Sequence, residues 1–138
     1  MSKVENLEQQ IKALSDEELR QFRAWFLEFD WMAWDHQLER DVAAGKLDGL
    51  AEKALRDHAS PDFWACYRSL PEDIQRLADQ AYEHLKQDPR YPSLRLKKVG
   101  RFWSARIGGD YRTVAVEASD GLVWFWIGTH ADYDKLIG

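Results

Sequence analysis

The amino-acid sequence predicts an α+β fold, with helices in the first two thirds of the chain and an antiparallel sheet of about four strands in the last third. Up to about residue 87, apolar residues recur every three or four positions, which is the spacing of amphipathic helices. After a proline-rich connection at residues 88–92, four extended runs are separated by short turns that contain glycine. Because the helices precede the strands and do not alternate with them, a parallel sheet of β-α-β units is excluded.

Three helices are predicted in residues 1–58. After a short first helix, Ser15 and Glu18 have the spacing of a capping box and begin a long second helix. The second helix carries a wide aromatic face and ends near Gly45, a residue that favours helix C-termini, and a third helix runs to about residue 58. We expect so much apolar surface to be buried on the second half of the chain. The side chains expected to make this contact are Trp25, Phe26, Phe29 and Trp34.

In the second half of the chain, the sequence pattern predicts a pair of helices followed by the sheet. Ser60 and Pro61 have the pattern of a cap and first helical position, and Pro71 separates this helix from one that runs to about residue 87. Residues 131–137 predict a short C-terminal helix. Strands are predicted at 94–99, 102–107, 111–117 and 122–129.

The composition is that of a globular protein of 138 residues, with 45% hydrophobic and 31% charged side chains. The one cysteine, Cys66, excludes an internal disulfide and fits a reducing compartment. We find no signal peptide and no apolar run near the roughly 20 residues of a membrane span, so we expect a soluble, cytoplasmic protein. The four histidines lack metal-ligand spacing, so neither a metal site nor a cofactor is predicted.

Charge is unevenly distributed along the chain. Residues 1–58 contain eight basic and thirteen acidic side chains, whereas residues 86–112 contain eight basic and two acidic ones. With a turn at residues 108–110, Arg106 faces Arg112 across a hairpin. Two guanidinium groups opposite each other repel, so this register costs stability unless an anion binds between them. A shorter turn would place the two arginines on opposite faces of the sheet.

Two further basic residues, Lys97 and Lys98, lie on the preceding predicted strand. Together with the two arginines they predict a surface that binds a phosphodiester. The alternative is that these cations pair with carboxylates of the acidic helices, and both can hold because an acidic helix would occupy the same face.

Residues 58–138 contain four stretches that resemble toxins of the RelE/ParE superfamily from bacterial toxin–antitoxin modules: FWACYRSLPEDIQRLADQAY, DPRYPSLRLKKVG, FWSARIGGDYRTVAV and VWFWIGTHADYDKLIG. Residues 3–58 are similar to the small helical antitoxins encoded beside such toxins, through the stretch FRAWFLEFDWMAWDHQLERDVAAGKLDGLAEKAL. These partners are normally separate chains. The resemblance therefore divides the sequence into an antitoxin-like segment, 1–58, and a toxin-like domain, 59–138, and it leaves open whether their fusion is natural.

The resemblance also implies an activity and a site. Ribonucleases of the superfamily cut messenger RNA on the ribosome, by attack of a ribose 2′-hydroxyl on the next phosphate. By position in the family pattern, Arg112 would contact the scissile phosphate, and Arg106 matches a basic residue on the preceding strand. His130 and Tyr133 would supply acid–base or base-stacking groups. The chain departs from the pattern at Ser104, where some ribonucleases have a lysine, and at Thr129–His130, which replaces an arginine.

We therefore predict a ribosome-dependent endoribonuclease that its own antitoxin half neutralises, with the ribosome and messenger RNA as partners after release. A gyrase-inhibiting toxin of the same fold and a catalytically silent interaction protein are the alternatives. His130 as a helix cap and Tyr133 as a packing residue are also open. Because the joint near His58 is short, the antitoxin half covers either its own toxin or that of a neighbour in a swapped homodimer. A second contact in such a dimer would use Val4, Leu7, Ile11 and Leu14.

Overall fold

The computed structural model describes residues 2–57, 61–88 and 94–138, and this part of the chain contains five helices, then one sheet, then a sixth helix, in the predicted order. The α-helices are α1 (Lys3–Lys12), α2 (Asp16–Ala43), α3 (Asp48–Asp57), α4 (Pro61–Arg68), α5 (Glu72–Gln87) and α6 (His130–Ile137). The strands are β1 (Lys97–Val99), β2 (Phe102–Ile107), β3 (Tyr111–Ala118) and β4 (Gly121–Thr129). The predicted α+β fold is confirmed.

Some predictions fall outside the described residues. These are the cap at Ser60, the junction at residues 58–60 and the proline-rich connection at residues 89–92. The chain divides into two compact units, Met1–Asp35 and His36–Gly138, which are described separately. The division into segments 1–58 and 59–138 stays a prediction. No helix in the described part of the chain is long and apolar enough to cross a membrane.

The first unit contains α1 and the larger part of α2, residues 16–35, and the start of α2 is the predicted one. The backbone N–H of Glu18 donates to Ser15 Oγ at 3.2 Å, and the N–H of Ser15 donates to Glu18 Oε1 at 2.9 Å, which is a complete capping box. The hydrogen bond from the Ser15 backbone to the carboxylate, and after it one from the Ser15 side chain, lower the pKa of Glu18 below its usual value.

The aromatic face of α2 differs from its prediction. Trp34 is 1% exposed, but Trp25, Phe26 and Phe29 are 58%, 48% and 52% exposed, so the expected burial of these three side chains is wrong. Their rings instead stack along the helix: the centroids of Trp25 and Phe29, four residues apart, lie 5.0 Å from each other. Contact between neighbouring rings on the same helix removes part of each ring from water, although no other helix or strand in the described part of the chain covers them. This contact lowers the cost of exposing the aromatic side chains.

A glycine turn ends α2, as predicted. Gly45 has a φ of 74°, and its N–H donates to Val42 O at 3.1 Å while the N–H of Lys46 donates to Asp41 O at 3.0 Å. This pair of bonds is the Schellman motif, which a residue with a side chain adopts only at a cost. The turn reverses the chain so that α3 follows α2 after four residues.

The second unit is built on an antiparallel sheet in the order β1-β2-β3-β4. The favoured hairpin register is confirmed, because Ile107 pairs with Tyr111 and Arg106 with Arg112, with Gly108 at a φ of 61° in the turn. The first strand begins at Lys97 and not at Leu94 as predicted. The reason is the left-handed backbone of Arg95, whose φ of 45° interrupts an extended strand.

The two faces of the sheet are covered by different helices. On one face Ile107 and Ile127 form a core with Leu70, against side chains of α4 and α5. Side chains alternate along a strand, so Phe102 and Val114 point to the opposite face, where α3 packs against β3 and β4 through small residues. We call this second surface the α3 face.

Close packing at Gly128 generates a stability prediction. A Cβ at this position would lie 2.8 Å from Trp126 Cζ2 and 3.1 Å from Asp132 Cβ. Gly128→Ala must therefore displace a buried indole, and we expect it to lower the free energy of unfolding by about 1–3 kcal/mol in urea denaturation.

Gly109→Ala is the matched control, because a Cβ at Gly109 would have no heavy atom within 4 Å. We expect its effect to stay within about 0.5 kcal/mol. Equal stability of the two variants would contradict the contact between Trp126 and Gly128.

Candidate functional site

Three cations from three strands share the α3 face. Arg106 and Arg112 are direct partners on β2 and β3, and Lys97 on β1 pairs with Ser104, so the pleat points all three side chains to the same side. Arg112 is 1% exposed and donates from Nη1 to Ser104 Oγ at 3.1 Å. Ser104, the departure from the family pattern, thus supplies a small acceptor for the buried guanidinium.

Lys98 does not join this group. Its neighbouring position on β1 turns it to the opposite face, where Nζ lies 3.2 Å from Glu117 Oε1 and 5.7 Å from the ring centroid of Trp103. The expected phosphate-binding set therefore contains Lys97, Arg106 and Arg112 on one face and Lys98 on the other.

The short helix α6 adds the two remaining predicted residues. Its N-cap is Thr129, which exchanges hydrogen bonds of 3.1 Å with Asp132 in a capping box. His130 is therefore the first helical residue and not the cap. One turn later Tyr133 is fully buried, with its ring edge-on to Trp126 at a centroid distance of 5.7 Å.

Three polar side chains of α2, within residues 37–41, each contact one of the predicted site residues. We call residues 37–41 the covering segment. The contacts are His130 Nε2 with Gln37 Oε1 at 2.7 Å, Lys97 Nζ with Glu39 Oε1 at 2.7 Å, and Tyr133 Oη with Asp41 Oδ2 at 2.8 Å. The expectation that the basic residues meet carboxylates of the acidic helices is confirmed for Lys97.

A second set of ion pairs lies at the edge of the α3 face. Arg101, in the turn between β1 and β2, is 3.3 Å from Asp48 Oδ1 and 3.1 Å from Glu52 Oε1 of α3. Sequence reasoning missed Arg101, although it belongs to the basic stretch of residues 86–112. It also missed Asp41, because one acid among thirteen carries no signal of burial.

The environment of Tyr133 keeps its hydroxyl protonated. Burial is the first cause that raises the pKa of Tyr133, and the hydrogen bond to Asp41 is the second, while the charge of Arg112 opposes them. At neutral pH the phenol is therefore a hydrogen-bond donor and not a base. Its partner Asp41 is 6% exposed, and Lys46 Nζ lies 3.9 Å from the other carboxylate oxygen.

The remaining reactive groups of the described residues give no competing site. Burial raises the pKa of the Cys66 thiol, so this half-buried side chain is a poor nucleophile and packs beside the Leu70 core. No cluster of three or more His, Cys, Asp or Glu side chains in the described ranges could hold a metal ion. The arrangement on the α3 face can instead bind an anion: a buried guanidinium, a neutral phenol and an ammonium group all donate hydrogen bonds.

Comparisons with known proteins find a family match in the later part of the chain. Residues 72–135 match the family model of the ParE-like toxin domain. Among solved structures, the chain is similar to the RelB–RelE antitoxin–toxin complex from Methanococcus jannaschii, at 16% sequence identity and a TM-score of 0.46, over 55% of this chain and 94% of that one. No curated protein sequence gives a significant match. Residues 72–135 are therefore similar to a ParE-like toxin domain, and the described residues before them form four helices.

Proposed function

We propose that this protein is a fused toxin–antitoxin protein, in which a RelE-like endoribonuclease at residues 59–138 is neutralised in cis by residues 1–58. The observation that carries the proposal is the position of the covering segment, which contacts His130, Lys97 and Tyr133 at 2.7, 2.7 and 2.8 Å. A segment that meets three predicted site residues at hydrogen-bond distance leaves no room there for a nucleotide. The protein as it stands is then the silent form.

The proposed chemistry is attack of a ribose 2′-hydroxyl on the adjacent phosphate of a ribosome-bound message. Arg112 and Arg106 would stabilise the negative charge that develops on the phosphorane, and Lys97 would bind a phosphate oxygen. Tyr133, a phenol that is protonated at neutral pH, would donate a proton to the leaving 5′-oxygen. His130 would accept the proton of the 2′-hydroxyl, since its Nε2 can exchange partners once Gln37 is removed.

The fusion makes the neutralisation persistent. A covalently joined inhibitor has an effective concentration of roughly millimolar, so the covering segment would return to the site faster than a diffusing substrate binds. Release would have to weaken the ion pairs of Glu39, Asp48 and Glu52 with the basic residues of the sheet. We propose that these events take place in the cytoplasm, with the ribosome and messenger RNA as partners.

A gyrase-inhibiting toxin is the second candidate. The family model that matches residues 72–135 is named for ParE, and the superfamily resemblance associates that branch with gyrase. Such a toxin binds a protein and needs no acid–base residues, so the buried Tyr133 and Arg112 would then be structural. A catalytically silent interaction protein would likewise depend only on the packing of the α3 face.

Charge reversal along α2 and α3 tests the proposal in the full chain. The triple variant Glu39→Lys, Asp48→Lys and Glu52→Lys, which we call the cover-reversal variant, replaces each ion pair with a repulsion and should weaken docking by about 3 kcal/mol in total. We expect cells that express this variant to stop growing and to accumulate cleaved ribosome-bound messages, measured by mapping of RNA 5′ ends.

The control carries Glu8→Lys, Glu28→Lys and Asp120→Lys, three exposed positions with the same change of charge. It should remain harmless, as the original chain should. If the cover-reversal variant folds and stays harmless, neutralisation in cis is contradicted. Growth arrest with intact messages and broken or relaxed DNA would support the gyrase alternative.

Arg112→Lys in the cover-reversal variant separates catalysis from folding. Lysine keeps the buried positive charge but loses the planar fork that binds two oxygens of a phosphate, so we expect message cleavage to fall by about 100-fold or more. Circular dichroism should show an unchanged fold. Full cleavage by a folded Arg112→Lys variant would remove Arg112 from the catalytic machinery.

We further propose that the protein is a homodimer through the exposed apolar residues of α1 and α2. Leu7, Trp25, Phe29 and Met32 are each more than half exposed, which is unusual for side chains so large. Light scattering should then report twice the chain mass of 16.2 kDa, and Trp25→Ser with Phe29→Ser should restore the single-chain mass. A mass of 16.2 kDa for the original chain at micromolar concentration would exclude the dimer.

A further inference from the structure

We propose that the Asp41 carboxylate occupies the subsite that receives the scissile phosphate, so that the covering segment inhibits by imitating the substrate anion. This inference rests on the proposed assignment of the α3 face as the substrate site. It goes further in naming one side chain as the mimic and in predicting that its removal opens a site for inorganic phosphate.

The first support is the burial of opposite charges. Among the described residues, Asp41 and Arg112 are the charged side chains that are buried, at 6% and 1% exposure. One comes from α2 and the other from β3. A buried carboxylate is costly unless donors surround it, so its position at this point indicates a surface built to receive an anion.

The second support is the set of donors. Tyr133 Oη donates to Asp41 Oδ2 at 2.8 Å, and Lys46 Nζ lies 3.9 Å from Oδ1. Arg112 pairs with Gly128, whose side-chain position lies against Asp132 of α6, so Arg112 is on the face of the sheet that α6 contacts. Phosphate and carboxylate accept hydrogen bonds from the same groups, so donors that hold the second can hold the first.

The third support is the contrast with the acids that pair with Lys97 and Arg101. The side chains of Glu39, Asp48 and Glu52 are 45%, 58% and 59% exposed, so their ion pairs form a rim that is open to solvent. Asp41, in contrast, is buried. In interfaces the buried central contact sets specificity and the exposed rim contributes little, so Asp41 is the residue expected to compete with substrate.

The test uses the full chain and inorganic phosphate as the probe. In Asp41→Ala, a phosphate ion can replace the missing carboxylate beside Tyr133. We expect tens of millimolar phosphate to raise the melting temperature of Asp41→Ala by about 2–4 °C more than that of the original chain at matched ionic strength, because a ligand that binds only the folded state stabilises it. Phosphorus NMR should show line broadening with this variant.

Two control variants define the site. Glu39→Ala removes a neighbouring acid of the same helix, and Asp41→Asn fills the space without the charge, so both should respond to phosphate as the original chain does. Adding Arg112→Lys to Asp41→Ala should weaken the response. An equal response of Glu39→Ala and Asp41→Ala, or none from Asp41→Ala, would overturn the proposal. Failure of Asp41→Ala to fold even with phosphate would overturn it too, since the ion is then no substitute for the carboxylate.

The result can be separated from that of the cleavage experiment. Phosphate binding by Asp41→Ala needs no catalysis, so it can occur in a protein whose cover-reversal variant leaves messages intact. In that case the anion subsite stands and the ribonuclease assignment fails. Cleavage by the cover-reversal variant without phosphate binding by Asp41→Ala would support the ribonuclease and contradict the role of Asp41 as a mimic.

Discussion

The hydrogen bond from Tyr133 to Asp41 is the contact on which the second unit depends. It joins residues 92 positions apart in the chain and connects the end of α2 to α6, beside β3. Both partners are buried, so neither can exchange the other for water without loss of the packing around them. The phenol stays protonated because burial, and then the carboxylate beside it, disfavour a negative charge on its oxygen.

Local chain chemistry brings the two partners to this point. The Schellman turn at Gly45 ends α2 shortly after Asp41, and α3, which packs on the sheet, follows this turn. The capping box of Thr129 and Asp132 starts α6 directly after β4 and places Tyr133 one turn into the helix. Each device is short-range, but together they position a long-range contact.

Charge complementarity around this contact is divided between centre and rim. The rim pairs of Lys97 and Arg101 are exposed, so each contributes little and weakens with salt. Asp41 and Arg112 are both buried, and burial of each charge carries a desolvation cost that hydrogen bonds must offset, from Tyr133 to Asp41 and from Arg112 to Ser104. These ion pairs and buried charges therefore contribute more to the specificity of the contact between the covering segment and the sheet than to the overall stability of the fold.

Short-range patterns in the sequence were enough to predict the fold class, the helix starts, the hairpin register and the meeting of Arg106 and Arg112 on one side of the sheet. These features follow from local rules: glycine and capping residues mark the ends of elements, and strand alternation assigns side chains to faces. The pattern failed at Arg95, where a left-handed residue shortens β1. It also failed for the exposed rings of α2, because hydrophobicity does not say whether a ring is covered by another element or by its neighbours on the same helix.

The burial of one acid among the thirteen in residues 1–58, and the identity of its partner, depend on tertiary contacts alone. Asp41, Asp48 and Glu39 have similar sequence surroundings, each a polar residue in a helical stretch, yet Asp41 is buried while the other two are about half exposed. The difference comes from how α2 ends over the sheet and from the position of α6. Those placements require contacts between residues far apart in the chain, and short-range patterns do not encode them.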